Sequence, residues 1–432
     1  MKTFKSLLLG SAGAAVLLTA GTVAQAADAP MAAKGREPVY RCDTAGFIEY
    51  PGSDVCFKVG GHAMAWMGVN SSNVAGPEGF NSMGITTNAT SNHDRFFMGA
   101  EGRLNVDIRS ASEWGLIRAF IEGRMQDANV NTGGAFNLRH AFVQVGNVTF
   151  GKTWSTFFAG AGPEMFGPDA AIVPPPGEMP LRVTVLRYTH NVGNGVSVSI
   201  ALEDPARHDA FTNATFGGQI GMAAAGNVAP SEAPDVVANI SAKGAWGRFQ
   251  ISAAAHENVY RVTATGPSGQ TWGWAGQLAL VLNVPNMGKD TVHLVAGYSS
   301  GATGYMTTAY GTGGARPAVG LTATGAVNKV DGWFVAGGYR HFWSPTLRST
   351  IGANYTKADW NGIVFVGGPF AGVEESLQVW GNLIWSPVPQ LDLGVEVMWA
   401  QMQAGVAGAG GLYTGGVTND AWGAHITARR SF

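Results

Sequence analysis

From Ala421 to Phe432 the chain alternates with a period of two. Trp422, Ala424, Ile426, Ala428 and Phe432 share one face, and Gly423, His425, Thr427, Arg429 and Ser431 share the other. In water such a strand lays its apolar row on a core. In a bilayer the same row faces lipid and the polar row faces a wet lumen.

The opposite end of the chain favours the bilayer. Met1 to Ala26 carries Lys2 and Lys5, an apolar run from Leu7 to Leu18 and the small-residue site Ala24-Gln25-Ala26, the pattern of a secretory signal peptide. The run is shorter than the roughly 20 residues a spanning helix needs. After it there is no uninterrupted apolar stretch of about 18 residues, so helical spans are excluded. A closed sheet is the remaining way to satisfy every backbone hydrogen bond in hydrocarbon. The expected fold is therefore all-β, an antiparallel transmembrane barrel.

Two segments show the alternation most clearly. In Arg95 to Arg109 the odd positions include Arg95, Glu101, Arg103, Asn105, Asp107 and Arg109, whereas the even ones, Phe96 to Ile108, are all apolar, alanine or glycine. In Trp114 to Gln126, Arg118, Glu122, Arg124 and Gln126 oppose Ile117, Ala119, Ile121 and Met125. Reversing either face would put arginine in lipid at about 2 to 4 kcal/mol near the midplane. The same template predicts strands at 57–69, 94–108, 113–127, 135–146, 147–154, 182–191, 194–203, 235–244, 247–261, 271–284, 290–300, 330–342, 345–359, 374–386, 389–403 and 420–432. The faces around His140 and Arg187 stay ambiguous.

Connections between these strands alternate in length. Short ones such as Gly146-Asn147 and Ser344-Pro345 face mostly long ones, among them 70–93, 155–181, 204–234 and 301–329. Short periplasmic turns opposite long external loops are what an outer-membrane barrel requires. Trp66, Trp114, Trp246, Trp333, Trp343, Trp360, Trp385, Trp399 and Trp422 fall near strand ends, where indole rings favour the lipid–water interface.

Setting aside Lys2 and Lys5 leaves 25 of the 27 basic residues against 29 acidic ones. That balance gives no nucleic-acid signature. Cys42 and Cys56 lie close together in an exported chain and are expected to form a disulfide, with two free thiols as the alternative. A zinc site lacks further ligands at the right spacing, and no cofactor is expected.

Gly146 to Thr153 satisfies the phosphate-loop pattern GxxxxGK[ST], but the residues that follow are interrupted by Gly160, Gly162 and Pro163 and cannot open the helix that a phosphate loop needs. Gly146-Asn147 reads better as a hairpin turn. With no GxSxG or HExxH motif and only scattered histidines, an enzyme is not expected.

Arginines project instead from the early strands: Arg95, Arg103, Arg109, Arg118, Arg124, Arg139, Arg182 and Arg187. The long connection 155–181 carries Glu164, Asp169 and Glu178 and is stiffened by six prolines. Folded into the lumen, it would set its carboxylates against the arginines across a narrow eyelet. The other reading has these arginines as solvated ion pairs with Glu101, Asp107 and Glu122.

Cys42-Asp43, Phe47 to Pro51 and Asp54 to Gly61 resemble the amino-terminal signature of the porins of alphaproteobacteria, and Gly146 to Thr153, Arg187-Tyr188-Thr189 and the terminal Phe432 follow in the expected order. The resemblance implies a homotrimer of sixteen-stranded barrels, with the third loop folded inward. It places Arg95, Arg103, Arg139 and Arg187 on the basic side of the constriction, Glu164 and Asp169 on the acidic side, and Phe432 at barrel closure and assembly. Arg430 departs from it, standing where a terminal strand usually carries an apolar residue.

Three parts are expected: a signal peptide at 1–26, a periplasmic segment at 27–56 and a barrel at 57–432. The expected function is passive diffusion of small hydrophilic solutes and ions across the outer membrane of a Gram-negative bacterium, in contact with its lipid and lipopolysaccharide. A channel selective for sugars or carboxylates, and a surface adhesion or structural barrel, are the alternatives.

Overall fold

Period-two segments pair with their sequence neighbours all the way round the chain. The structure, a computed structural model, describes residue 42 and residues 46–71, 95–127, 135–167, 182–205, 232–261, 268–306, 318–322, 326–363, 373–407 and 413–432. Among them sixteen antiparallel strands form the barrel. They are β1 Cys56–Asn70, β2 Arg95–Ser112, β3 Gly115–Asp127, β4 Ala135–Val145, β5 Val148–Trp154, β6 Arg182–Gly193, β7 Val196–Glu203 and β8 Asp235–Gly244. Then come β9 Gly247–Arg261, β10 Ser268–Asn283, β11 Thr291–Ser300, β12 Asp331–Ser344, β13 Leu347–Asp359, β14 Val373–Val388, β15 Leu391–Ala407 and β16 Tyr413–Ser431.

β16 closes on β1 with Gly423 opposite Asn70 and Ser431 opposite His62, and Phe432 and Gly61 exchange backbone hydrogen bonds at the end of that seam. No sheet edge is left there for lipid to meet. Strand limits differ from the alternation template by a few residues, except that β16 starts at Tyr413 rather than at 420. The expected signal peptide lies outside the described residues.

The outward row is apolar and open. Phe96, Met98, Phe150, Ile351, Val397 and Ile426 each leave more than half of their surface uncovered, which no water-facing surface sustains as a continuous band. No described helix is long and apolar enough to cross a membrane. Trp114, Trp246, Trp343 and Trp385 are exposed beside the short turns, and Trp333 and Trp422 near the other rim. Trp66 and Trp360 do not join these belts. Trp66 is buried with Met64 and Phe97, its ring over Gly99, and Trp360 sits in a core inside the lumen.

Arg430 is exposed on the outward row, and its guanidinium donates to the carbonyl of Pro389 in the adjoining turn, 2.6 Å away. Its charge therefore ends at the water boundary, the arrangement that long cationic side chains adopt near membrane surfaces. Cys42 and Cys56 are disulfide-bonded, and Ile48–Glu49 pairs with the start of β1. Gly146-Asn147 is a tight turn leading into β5, so the phosphate-loop match ends in a strand. Asn194 and Gly195, with φ of 51° and 80°, form the two-residue hairpin turn whose backbone twist suits antiparallel strands.

The turn between β10 and β11 holds a carboxylate. Asp290 accepts from the Tyr339 hydroxyl, the Phe342 N–H at 2.8 Å and His341 Nδ1 at 2.6 Å. The tyrosine bond, more than any other contact, pulls its pKa down from 3.8 to about 2. A carboxyl depressed on folding stabilises the native state above its unfolded pKa and loses that contribution as pH falls through the folded value. In thermal melts of the detergent-solubilised barrel, the gap between wild type and Asp290→Asn should hold at pH 6 and shrink between pH 4 and 2. A gap that ignores pH would show that the carboxylate is not what fastens the turn.

Candidate pore constriction

After β5 the chain turns into the lumen, and residues 155–167 run along the inner wall of the barrel. Side chains on the wall hold this loop by its backbone carbonyls. Asn239 donates to Thr156 O at 2.6 Å, Ser252 to Phe157 O at 2.9 Å, Arg248 to the carbonyls of Ala159 and Gly160, and His293 to Ala161 O at 2.9 Å. Further along, Asn382 donates to Glu164 O at 3.0 Å and His425 to Phe166 O at 2.8 Å. At the root, Ser155 Oγ and the Thr156 N–H both bond the buried carboxylate of Glu203. Near the far end, the Phe166 N–H bonds Glu396 at 2.8 Å.

A loop cannot lie on a sheet without room for its side chains. Gly338 and Gly394 provide it: a Cβ at either would stand 2.6 Å from Pro163 or from the Phe166 ring respectively. Phe166 is accordingly buried, with the Arg429 guanidinium 5.0 Å from its ring centroid.

The loop covers one side of the interior. Ala279, Val281, Val295, Phe334, Ala336 and Ala358 point inward from β10 to β13 and pack with Ala161 of the loop and with Met306, Val330, Trp360 and Ile363 from the connections above. That part of the lumen is a dry core. The sequence carried a signal of it, since the stretch Leu278 to Leu282 of β10 is apolar on both faces, with Leu278 and Leu282 outside and Ala279 and Val281 inside. A run apolar on both sides marks a strand that is covered twice.

The opposite wall, β2 to β4, remains polar. Arg109 and Arg118 both grip Asp107 with paired hydrogen bonds of 2.7 to 3.0 Å. Glu101 lies 2.7 Å from Arg103, 3.7 Å from Arg124 and 3.1 Å from His62. Glu122 pairs with Arg139 at 2.9 Å. Two of these three carboxylates are thus each shared by two arginines, and among the described residues of this wall the cations are in excess. Such unequal clusters hold their side chains rigid and still present positive potential to the lumen.

A β-bulge resolves the ambiguity at Arg139 and His140. Glu122 pairs with His140 and Gly123 with Leu138, so Arg139 is the extra residue. One extra residue sets two successive side chains on the same side, and both Arg139 and His140 are buried on the inner side. Arg182 Nε donates to His140 Nε2 at 3.0 Å. Because a guanidinium only donates, His140 Nδ1 carries the proton that reaches Thr153 Oγ1 at 3.2 Å.

The predicted eyelet residues separate. Arg103 and Arg139 belong to this wall. Arg187 lies under the loop root, bonding Trp154 O at 3.4 Å. Arg95 opens β2, with its side chain outside the described residues, as is the whole of Asp169. Glu164 turns to the barrel side that the loop lies on, where Arg348 holds it through paired bonds of 2.9 and 3.1 Å and Arg340 stands 3.7 Å away. Sequence reasoning missed Arg340, Arg348 and the donors that hang the loop. Their strands show alternation, but nothing local ties them to residues some two hundred positions earlier.

The chain matches the Porin subfamily over residues 28–423. It is 26% identical to the porin Omp2b of Brucella melitensis over 99% of both chains, and 27% identical to that of Brucella neotomae with the same coverage. Among solved structures, the outer membrane channel DcaP of Acinetobacter baumannii superposes with a TM-score of 0.69 at 18% identity, covering 89% of this chain and 99% of that one. An anion-selective porin from Comamonas acidovorans superposes at 0.52 with 11% identity, over 88% of this chain and all of the other.

Proposed function

Because the chain belongs to the Porin subfamily, a family of outer-membrane channels, we propose that it is a general diffusion pore that favours small hydrophilic anions. The observation that carries this reading is the arginine excess on the β2–β4 wall, where Asp107 and Glu101 each answer two guanidinium groups. Glu164 is matched by Arg348 and Arg340, so its charge adds no acidic counterweight.

A passing anion feels the surplus without being trapped. A unit charge about 8 Å away is worth roughly 0.5 kcal/mol in bulk water and about 2 kcal/mol at an effective dielectric of 20. Conduction needs attraction of that modest size. On this reading Arg103, Arg109, Arg118, Arg124 and Arg139 line the aqueous path, and the loop at 155–167 forms its other bank. The assembly we propose is a homotrimer with one pore per barrel, set in outer-membrane lipid and lipopolysaccharide, and it rests on the family resemblance.

Purified protein in planar bilayers tests the function. Stepwise KCl conductance with a reversal potential of the sign that marks chloride preference is the expected result. No conductance would remove the channel, and a potential of the opposite sign would remove the anion preference alone.

A further inference from the structure

Flat side chains form an unbroken series on the inner wall, running from near the β5 turn up to the loop. Phe120 and Phe142 have ring centroids 5.6 Å apart, and the Arg118 guanidinium lies 5.1 and 5.3 Å from them. His140 meets Phe120 at 5.7 Å and Trp154 at 5.2 Å, both edge to face. Trp154 then stacks on Phe158 of the inward loop at 4.7 Å, with the Arg182 guanidinium 3.6 Å from its centroid. Phe120, Phe142, Trp154 and Phe158 are all half-buried rather than covered.

This series stands out from the rest of the interior. On the dry side of the lumen, aromatic residues such as Phe334 and Trp360 are sealed in a core. Here rings stay partly open beside charged groups. Arg118 spends two of its five N–H groups on Asp107, which leaves donors for a second carboxylate. A ring face next to an unsatisfied guanidinium edge suits a ligand that is flat and apolar at one end and carboxylate at the other.

We propose that this series is a specificity path for aromatic monocarboxylates, with benzoate as the simplest member, an inference that rests on the channel reading above and names its favoured solute class. Phe120 and Phe142 contact the ring of the solute while Arg118 holds its carboxylate, and Trp154, stacked on Phe158 and covered by Arg182, continues the flat wall toward the loop. Sugars fit less well, because the polar groups flanking the rings are mainly cationic and the carboxylates beside them, Asp107 and Glu122, are already held by arginines.

The experiment is block of KCl current through the wild-type protein in planar bilayers by sodium benzoate, with acetate as the ringless anion and benzylammonium as the ring of opposite charge. Benzoate should reduce the current saturably, at a half-blocking concentration about tenfold below those of acetate and benzylammonium, the gain expected from one or two ring contacts. Phe120→Leu with Phe142→Leu should remove most of that advantage and leave KCl conductance within about twofold of wild type. KCl current with equal block by benzoate and acetate overturns the proposal, as does an advantage that survives the double substitution. The wild-type comparison decides even where the variant does not fold. Absence of any KCl current would defeat the channel itself, an outcome distinct from failure of the solute preference.

Discussion

Replacing Arg103 and Arg139 together by glutamine is expected to abolish the preference for anions. On the β2–β4 wall, Arg103, Arg109, Arg118, Arg124 and Arg139 face Glu101, Asp107 and Glu122. Losing two cations brings the two signs level among the described residues of this wall. At roughly 2 kcal/mol for each nearby charge at a dielectric of 20, and less once salt screens the lumen, the ratio of chloride to potassium permeability should fall about tenfold. The folded barrel should persist, because Glu101 keeps Arg124 and His62. Glu122 loses its partner and sets the cost, on the order of 1 to 3 kcal/mol for a part-buried carboxylate. Reversal potentials in a KCl gradient give the answer, and values equal to wild type would show that these arginines act only as internal braces.

Gly394→Leu should have the larger effect on current itself. The position points into the lumen, and even a Cβ there would stand 2.6 Å from Phe166 and 3.0 Å from the carbonyl of Leu383. The strand cannot yield because it is paired on both sides. The loop yields instead. Phe166 loses its covered site, worth about 1.5 to 3 kcal/mol for a large apolar side chain, and its N–H leaves Glu396. Pushed off the wall, the loop end enters the aqueous path, so single-channel conductance should drop several-fold and flicker. A second change, Phe166→Ala, makes room again and should recover most of the current. Full conductance in the single variant would mean that the loop end does not bound the pore.

The barrel was legible in the sequence because a membrane enforces the rule that reveals it. Every outward position on Arg95 to Arg109 had to be apolar, since lipid offers no partner for a charge, and the structure keeps that face. The phase slip at Arg139 and His140 was also visible, with Leu138 outward on one phase and Val143 outward on the next. Only pairing with β3 identifies it as a bulge.

The constriction was less legible. Local sequence shows that the loop at 155–181 is stiff and acidic, but the direction of Glu164 depends on Arg348 from β13, which no periodicity connects to it. Likewise Trp66 and Trp360 look like interface residues by their place near strand ends, and only the packing around them shows them to be inside. Contacts across a lumen are invisible to pattern reading, because an inward polar residue looks the same whether it meets water or a loop.

The seam between Ser431 and His62 carries a consequence for biogenesis. It joins the strands that stand furthest apart along the barrel-forming sequence, β1 and β16, so no chain that lacks either one can be a closed ring. Emerging hairpins must wait with exposed hydrogen-bonding edges until the final segment arrives. A cell that makes this protein therefore has to escort it to the membrane as an unfinished ribbon, and a truncated product, however nearly complete, would be waste for proteases.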